Sequence, residues 1–297
     1  MKTKIKHCWL LCLLAFCSCS SWIDIKPSDR LSEGMLFEDR QGFEKAINGV
    51  YVGLTDRALY GRTLSAGIID FMAQYYTYGS GSDMNSMVGA YRYEEDEIKA
   101  IFQSAWEKAY ALIVNCNIII EKCDAKREVL SDVYYGLYKG EAIALRAMLH
   151  LDMLRLFGPL TSELDKESIP YQTNSDQTVT PLLSGSEVVG LMKNAVGLLK
   201  DTDPYFVEEE FSDTDLNYRR FRMNYFAAKG LMARVQLWGG DKEKAAATAK
   251  EVIAEGQAEG AEFFPFVTNS EATSSNPDRV FYSEVLFGTY HSSREKL

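Results

Sequence analysis

YYGLYKGEAIALRAMLHLDMLRLF, residues 134–157, is the stretch that decides the fold. It contains no proline, and Gly158 and Pro159 follow it directly. At about 100° per residue its side chains form two opposed apolar faces. One face carries Tyr138, Ala142, Leu145, Leu149, Met153 and Leu156, and the other carries Gly140, Ala144, Ala147, Leu151 and Leu154. A surface helix needs only one apolar stripe, so this pattern predicts a helix that is covered on both sides.

Two polar seams separate these faces, one with Lys139, Arg146 and His150 and the other with Glu141, Asp152 and Arg155. A helix covered on both sides is typical of the inner helix of a stacked helical array. The pattern also fits the central helix of an ordinary bundle. We predict that Gly158 closes the helix in a left-handed conformation, because glycine adopts it freely and Pro159 cannot continue the helix.

The first 18 residues have the pattern of a secretory signal. Residues 1–7 hold three lysines, and residues 8–16 (CWLLCLLAF) are an unbroken apolar run that is too short to span a bilayer. Small residues then lead to a cysteine, which resembles a bacterial lipobox. Cys19 is the better candidate for acylation because Ser18 precedes it, whereas bulky Phe16 precedes Cys17. The alternative is ordinary cleavage by a general signal peptidase.

The charge balance argues against two kinds of anionic partner. The chain has 32 basic and 42 acidic residues, and residues 1–18 contain three of the lysines and no acid, which leaves 29 against 42 and a formal net charge of −13. This argues against nucleic acid, and against an anionic membrane surface as an electrostatic partner. Attachment to a membrane would therefore depend on a lipid anchor.

Outside the signal and its junction the only cysteines are Cys116 and Cys123. Seven residues apart on a helix, they would lie about 10 Å from each other, too far for a disulfide. We predict that both are small buried residues.

Cys116 lies in a predicted helix whose apolar stripe includes Asn117. We interpret Asn117 as a buried amide bonded to neighbouring backbone.

The rest of the chain predicts more helices joined by long loops. Helical spacing covers residues 37–54, parts of 59–72, and 98–123, and a capping-box pattern opens another helix at 184–187. Residues 224–255 have the spacing of a tetratricopeptide helix pair, although Lys229 and Ala249 occupy positions that are usually aromatic. The long loops are expected at about 74–93, 158–183 and 201–220; the last is acidic and is predicted to be solvated. Residues 283–290 form a β-like run.

The loop at residues 74–93, QYYTYGSGSDMNSMVGAYRY, is the most unusual of these segments. It shows neither helical nor strand periodicity. Loops of this length inside a compact chain are usually functional or disordered, and five tyrosines make this one too aromatic for simple disorder.

These landmarks together resemble the SusD/RagB family of Bacteroidetes outer-membrane nutrient-binding lipoproteins. The similarity spans residues 19–297, in the family's order, and no single motif carries it. The matching stretches are CSSWIDIKP (19–27), FEKAINGVY (43–51), Trp106, Tyr110, Ile113 and Asn117, GEA (140–142), LRA (145–147), LFGPL (156–160), LMARV (231–235), Gly240-Asp241 and EVLF (284–287). Members of the family usually continue well past the last of these stretches, so we expect this chain to correspond to their N-terminal portion.

The resemblance implies a mainly all-α, TPR-like helical array over residues 19–297, after a lipoprotein signal peptide at 1–18. It implies a surface lipoprotein of the cell outer membrane that binds an oligosaccharide or polysaccharide and passes it to a SusC-like TonB-dependent transporter. In similar proteins a glycan lies on an aromatic platform partly built by the loop that precedes the Trp106-type helix. By position this implies Tyr76, Tyr78, Asn85 and Tyr91 as ligand contacts; the alternative is that these tyrosines only pack the loop onto the helices.

Enzymatic signatures are missing from the mature sequence. It contains no HExxH, GxSxG, P-loop or CxxC motif, and His150, on a polar seam, is interpreted as structural. We therefore expect a binding protein without a cofactor, metal site or catalytic residues. Two alternatives stay open. One is a peptide-binding uptake lipoprotein on the same scaffold, and the other is a secreted glycosidase, because composition alone cannot exclude a carboxylate pair.

Overall fold

The computed structural model describes residues 33–77, 81, 83–166, 168–176, 184–207, 211, 218–257 and 263–291. The chain divides into two compact units, residues 1–36 and 37–297. Of the first unit the structure describes a single-turn helix, α1 (Glu33–Leu36). The predicted signal segment 1–18 and Cys19 lie outside the described residues.

The second unit is helical. Among the described residues its α-helices are α2 (Arg40–Leu54), α3 (Ile68–Met72), α4 (Met84–Gly89), α5 (Asp96–Ala125), α6 (Asp132–Phe157), α7 (Gly185–Lys200), α8 (Tyr225–Trp238), α9 (Lys242–Gly256) and α10 (Asn269–Ala272). Single turns of 3-10 helix occur at Arg127–Val129, Thr161–Glu163, Arg219–Phe221 and Tyr282–Glu284. The described residues contain no β-strand, and the predicted all-α class is confirmed.

The long helices stack in chain order. From α5 to α9, each helix packs against the next, and α2 lies on α5 and α6. This serial packing is the arrangement of a stacked helical array, in which each unit buries its apolar face against its neighbour. The predicted TPR-like array is therefore confirmed.

Helix α6 is the centre of this array. Every residue from Gly140 to Leu154 is buried, including the polar seam residues Glu141, Arg146, His150 and Asp152. The helix packs against α5 and α7 and also contacts α2 and α8. At Gly140 the neighbour comes close, because a Cβ there would lie 2.9 Å from Leu199 Cγ of α7. The two-sided burial predicted from the sequence is confirmed.

The predicted left-handed end of α6 is wrong. Gly158 has φ −84° and ψ 177°, an extended conformation that any residue can adopt. Its N–H still donates to the Leu154 carbonyl oxygen at 2.9 Å. A Cβ at this position would collide with that same carbonyl oxygen. Glycine is therefore required here for close approach and not for backbone conformation.

Side chains of α5 hold residues 168–176 across the array. Three of them hydrogen bond to this segment: Tyr110, Asn117 and Glu121. The fully buried Asn117 amide donates to the carbonyl oxygens of Gln172 and Asn174 at 3.1 and 2.8 Å. It accepts a hydrogen bond from Arg146 of α6 at 2.6 Å. The prediction of a buried amide bonded to backbone is confirmed.

His150 is also part of this structure. Its Nε2 accepts a hydrogen bond from the Gln172 backbone N–H at 3.2 Å, so its Nδ1 carries the proton and donates to the Arg146 carbonyl oxygen at 2.8 Å. Both ring nitrogens are satisfied only when the imidazole is neutral. Burial lowers the pKa of His150 to about 3, and the nearby Arg146 charge acts in the same direction.

Stability should consequently fall in acid in a way that depends on His150. The unfolded chain binds a proton at His150 near pH 6.5, whereas the folded chain binds it only near pH 3. Stability is thus lost progressively as the pH falls through this window, by about 2–3 kcal/mol at pH 4.5. Urea unfolding of His150→Gln between pH 7 and 4 should show a shallower pH dependence than the parent chain. His291→Gln is the matched control, and equal slopes for parent chain and His150→Gln would contradict the prediction.

A contact between α8 and α9 explains one departure of this helix pair from the usual tetratricopeptide pattern. Lys229, at a position that is usually aromatic, is buried and pairs with Glu251 and Glu255 of α9 at 2.9 and 2.8 Å. These ion pairs raise the pKa of Lys229 above its ordinary value despite the opposing effect of burial. An ion pair therefore joins the two helices where an aromatic contact is usual.

Two loop predictions need correction. Residues 283–290 do not form a strand, because Tyr282–Glu284 is a 3-10 turn and the rest is irregular. The acidic segment 201–220 is not simply solvated, because Asp203 is fully buried. Its carboxylate accepts from Arg219 Nη2 at 2.6 Å and from the Tyr225 backbone N–H at 2.9 Å.

Candidate functional site

The tyrosine loop, residues 74–77, 81 and 83–93 of the described structure, connects α3 to α5. It is not the irregular loop that was predicted, because it contains α4. Asp83 begins this helix by accepting hydrogen bonds from the backbone N–H groups of Asn85 and Ser86 at 3.0 and 3.1 Å. Met87 and Val88 of α4 are buried in one cluster with other apolar side chains, including Ile68 and Ile98. One side of the loop is therefore fixed to the helical array.

A hydrogen bond closes the loop at its base. Gln74 adopts a left-handed conformation with φ 59°, and its Nε2 donates to the Gly89 carbonyl oxygen at 2.9 Å. This bond joins the chain just before Tyr76 to the chain just before Tyr91. Tyr91 is left-handed too, with φ 58°. A positive φ is uncommon for residues other than glycine, so the loop is held in a specific shape.

Three tyrosines of this loop face solvent. The exposed fractions are 75% for Tyr75, 57% for Tyr76 and 65% for Tyr91. The Tyr76 ring lies 6.0 Å from the ring of Phe71, the last but one residue of α3. Exposed rings of this size, grouped on one anchored loop, are a feature of ligand-binding surfaces more than of cores.

Behind Tyr91 the rings form an aromatic ladder, which we define as Tyr91, Tyr93, Phe102, Phe157 and Trp106. Successive centroids lie 6.0, 6.0, 6.1 and 5.0 Å apart, with interplanar angles between 81° and 86°. These edge-to-face contacts are favourable geometries for aromatic pairs. The ladder leads from the exposed Tyr91 to α5 and α6, so the Tyr91 ring is packed against the helical array through it.

The four residues predicted as ligand contacts have different positions in the structure. Tyr76 and Tyr91 are exposed on the two chain segments joined at Gln74. Asn85 is half-buried on α4, and its Oδ1 is shielded from solvent without a hydrogen-bond partner among the described residues. Tyr78 lies outside the described residues. Sequence reasoning missed Tyr75, which is the most exposed of the three tyrosines, although its place beside Tyr76 was a signal for it.

A cleft of about 380 Å³ adjoins the same loop, because Met84 of α4 lines it. Arg57, Arg62, Thr63 and Ser104 also line the cleft. Guanidinium and hydroxyl groups of this kind can hydrogen bond to the hydroxyl groups of a sugar. The cleft therefore places polar groups beside α4, the helix that anchors the tyrosine loop.

Asp83 is the carboxylate in the described part of the loop. The hydrogen bond from the Ser86 hydroxyl, at 2.6 Å, holds the pKa of Asp83 below its ordinary value. A carboxylate that stays ionised cannot act as the general acid of glycoside hydrolysis. Within the described ranges, no three His, Cys, Asp or Glu side chains are placed to hold a metal ion. No helix in the same ranges is both long and apolar enough to cross a membrane.

Comparison with known proteins identifies relatives of this chain. Residues 21–237 match the SusD-like family, described as starch-binding and associating with the outer membrane. SusD-like protein P2 of Formosa agariphila is 24% identical over 257 residues, which cover 84% of this chain and 46% of that protein.

Solved structures give a consistent result. A SusD superfamily protein from Bacteroides thetaiotaomicron has a TM-score of 0.57 at 22% identity, over 79% of this chain and 49% of its own. A laminarin-binding SusD-like protein has a TM-score of 0.58 at 17% identity, over 79% of this chain and 48% of its own. At these identities the likeness shows a common fold. The chain spans about half the length of the relatives that it matches.

Proposed function

Because this chain belongs to the SusD-like family, we propose that it binds glycans at the outer membrane. The observation that carries this proposal is the exposed set Tyr75, Tyr76 and Tyr91 on a loop anchored by α4. The family description as starch-binding and the laminarin-binding neighbour support a carbohydrate as the ligand.

Stacking explains why tyrosines suit this ligand. A sugar ring presents a face of C–H groups, which packs against an aromatic face, while its hydroxyl groups need hydrogen-bond partners at the edge. The tyrosine rings supply the first kind of contact. The side chains of Arg57 and Arg62, exposed beside the cleft next to α4, supply the second.

Delivery to the cell surface is part of the same proposal. The apolar run at 8–16 followed by Ser18 and Cys19 supports export and acylation at Cys19. The family's association with the outer membrane supports a lipid-anchored protein there, facing outward. We propose that the bound glycan passes to a SusC-like TonB-dependent transporter, as the resemblance implies. Peptide binding and glycoside hydrolysis are the competing functions that an experiment must separate from this one.

Removal of the exposed rings should weaken glycan binding without unfolding the chain. Each stacked ring contributes about 1 kcal/mol, so Tyr76→Ala together with Tyr91→Ala should lower polysaccharide affinity at least tenfold. Adding Tyr78→Ala tests the third predicted tyrosine. Affinity electrophoresis across a polysaccharide panel measures the loss. Phe266→Ala, which removes an exposed ring from another segment, is the matched control.

Several outcomes would contradict the proposal. Unchanged retention with an intact circular dichroism spectrum would show that the tyrosines only pack the loop. Retention of peptides in place of polysaccharides would favour the peptide-binding alternative. Release of reducing ends from a retained polysaccharide by the purified chain would show that it is an enzyme.

A further inference from the structure

A second cleft, of about 570 Å³, lies between α2 and the chain segments at 218–222 and 289–290. Its lining residues are Asn48, Tyr51, Val52, Thr55, Tyr218, Phe221, Arg222, Thr289 and Tyr290. None of them belongs to the tyrosine loop or to the cleft beside α4. We name it the Arg222 cleft.

Two exposed rings form the walls of the Arg222 cleft. Tyr218 and Tyr290 are 54% and 64% exposed, and both pack against the half-buried ring of Phe221, with centroids 6.4 and 5.6 Å away. Since the two tyrosines share this neighbour, one oligosaccharide is long enough to contact both. As in the tyrosine loop, exposed tyrosine rings here pack against a less exposed aromatic ring.

Arg222 gives this cleft a charge that is not balanced locally. The residue is only 4% exposed, and its guanidinium lies over the ring of Tyr51, 4.7 Å from the centroid. Among the described residues, its buried Nη1 has no hydrogen-bond partner, and no carboxylate forms an ion pair with it. Arg219, three residues earlier, forms ion pairs with Glu141 and Asp203 through Nη1 and Nη2, although its Nε also has no hydrogen-bond partner among the described residues.

The surroundings of Arg222 leave its charge available for a ligand. Among the described residues no Asp or Glu lines the cleft, although acidic residues outnumber basic ones by 42 to 32 in the chain. The Tyr51 hydroxyl cannot serve as a counter-charge, because it donates to Glu141 at 2.6 Å and burial raises its pKa well above the ordinary value. A guanidinium placed in this way favours an anionic oxygen on whatever enters the cleft.

We propose that the Arg222 cleft is a second carbohydrate site, selective for sugars that carry an anionic group, a carboxylate or a sulfate. The rings of Tyr218 and Tyr290 would stack on the sugar, and Arg222 would receive its anionic group. Asn48, Thr55 and Thr289 add further polar side chains to the lining of the cleft. This inference rests on the proposed function in that it takes glycans as the ligand class, but it uses none of the residues of the tyrosine loop.

Titration calorimetry with matched sugars tests this proposal. The probes are oligogalacturonate, its neutral methyl ester, and a sulfated carrageenan oligosaccharide. We expect at least tenfold tighter binding of one or both anionic sugars than of the neutral ester, and Arg222→Met should remove this preference. The double variant Tyr218→Ala with Tyr290→Ala changes only exposed rings and should weaken the binding of anionic sugars at least fivefold. It tests the site even if Arg222→Met does not fold.

The outcomes separate this proposal from the previous one. Tyr76→Ala with Tyr91→Ala should leave anionic binding in the Arg222 cleft unchanged, while it weakens retention of neutral polysaccharides. Equal affinity for oligogalacturonate, its methyl ester and the sulfated oligosaccharide would overturn the second site. A preference for anionic sugars that survives both Arg222→Met and the double variant Tyr218→Ala with Tyr290→Ala would overturn it too. Polysaccharide retention at the tyrosine loop without any anionic preference would refute the Arg222 site alone. If the parent chain bound no carbohydrate at all, both the proposed glycan-binding function and the Arg222 site would be refuted.

Discussion

Leu149→Asp and Leu151→Asp should each destabilise the fold by about 3–5 kcal/mol. The two positions are about 200° apart around α6, and both side chains are buried. Each substitution places an unpaired carboxylate in an apolar environment, where it has no partner and either stays charged at high cost or takes up a proton. A helix that buried only one face would tolerate one of the two changes.

Chemical unfolding of both variants checks this prediction. Leu237→Asp is the matched control, because it makes the same change on α8 at a leucine that is largely exposed. It should cost less than about 1 kcal/mol. Near-parent stability for either α6 variant would show that this helix has a solvent-facing side, contrary to the arrangement described above.

Arg219→Met should cost about 3–5 kcal/mol, because it removes the cation from a buried ion network. Arg219 Nη1 lies 2.7 Å from Glu141 Oε1, its Nη2 lies 2.6 Å from Asp203 Oδ2, and all three side chains are almost completely buried. Removing one partner leaves two buried carboxylates without their counter-charge, although Tyr51 and the Tyr225 N–H still donate to them.

A combined variant distinguishes loss of charge balance from loss of packing. Arg219→Met with Glu141→Gln and Asp203→Asn removes all three charges and should recover part of the lost stability, because neutral groups need no counter-charge. Arg234→Met, which removes an exposed arginine from a long ion pair, should change stability by less than about 1 kcal/mol. If the combined variant were as unstable as Arg219→Met, packing and not charge would explain the effect.

The sequence predicted those features that depend on local periodicity. Two opposed apolar faces indicated the buried position of α6, because covering by neighbours on both sides is the only way to remove both faces from water. An amide on the apolar stripe of α5 indicated the backbone contacts of Asn117, since a buried amide needs partners. The tyrosine loop was located by composition, and two of its predicted contacts, Tyr76 and Tyr91, are exposed.

Features that join distant residues could not be predicted in this way. The ion pairs of Arg219 with Asp203 and Glu141 depend on where three separate segments meet, so the acidic run looked like a solvated loop. Helix α4 was missed because six residues are too few to show a period. Its stability depends on the Asp83 cap and on burial against Ile68 and Ile98, which only the folded chain brings together.

The hydrogen bond from Gln74 to Gly89 has a consequence for the thermodynamics of ligand capture. It joins residue 74 to residue 89 when the chain folds, so part of the conformational entropy of these two segments is lost at that stage. Ordering a flexible side chain on binding costs roughly 0.5–1.5 kcal/mol, and a loop already held in shape avoids much of this penalty. The proposed glycan would therefore meet a preorganised surface, and association would proceed without a slow rearrangement of the protein.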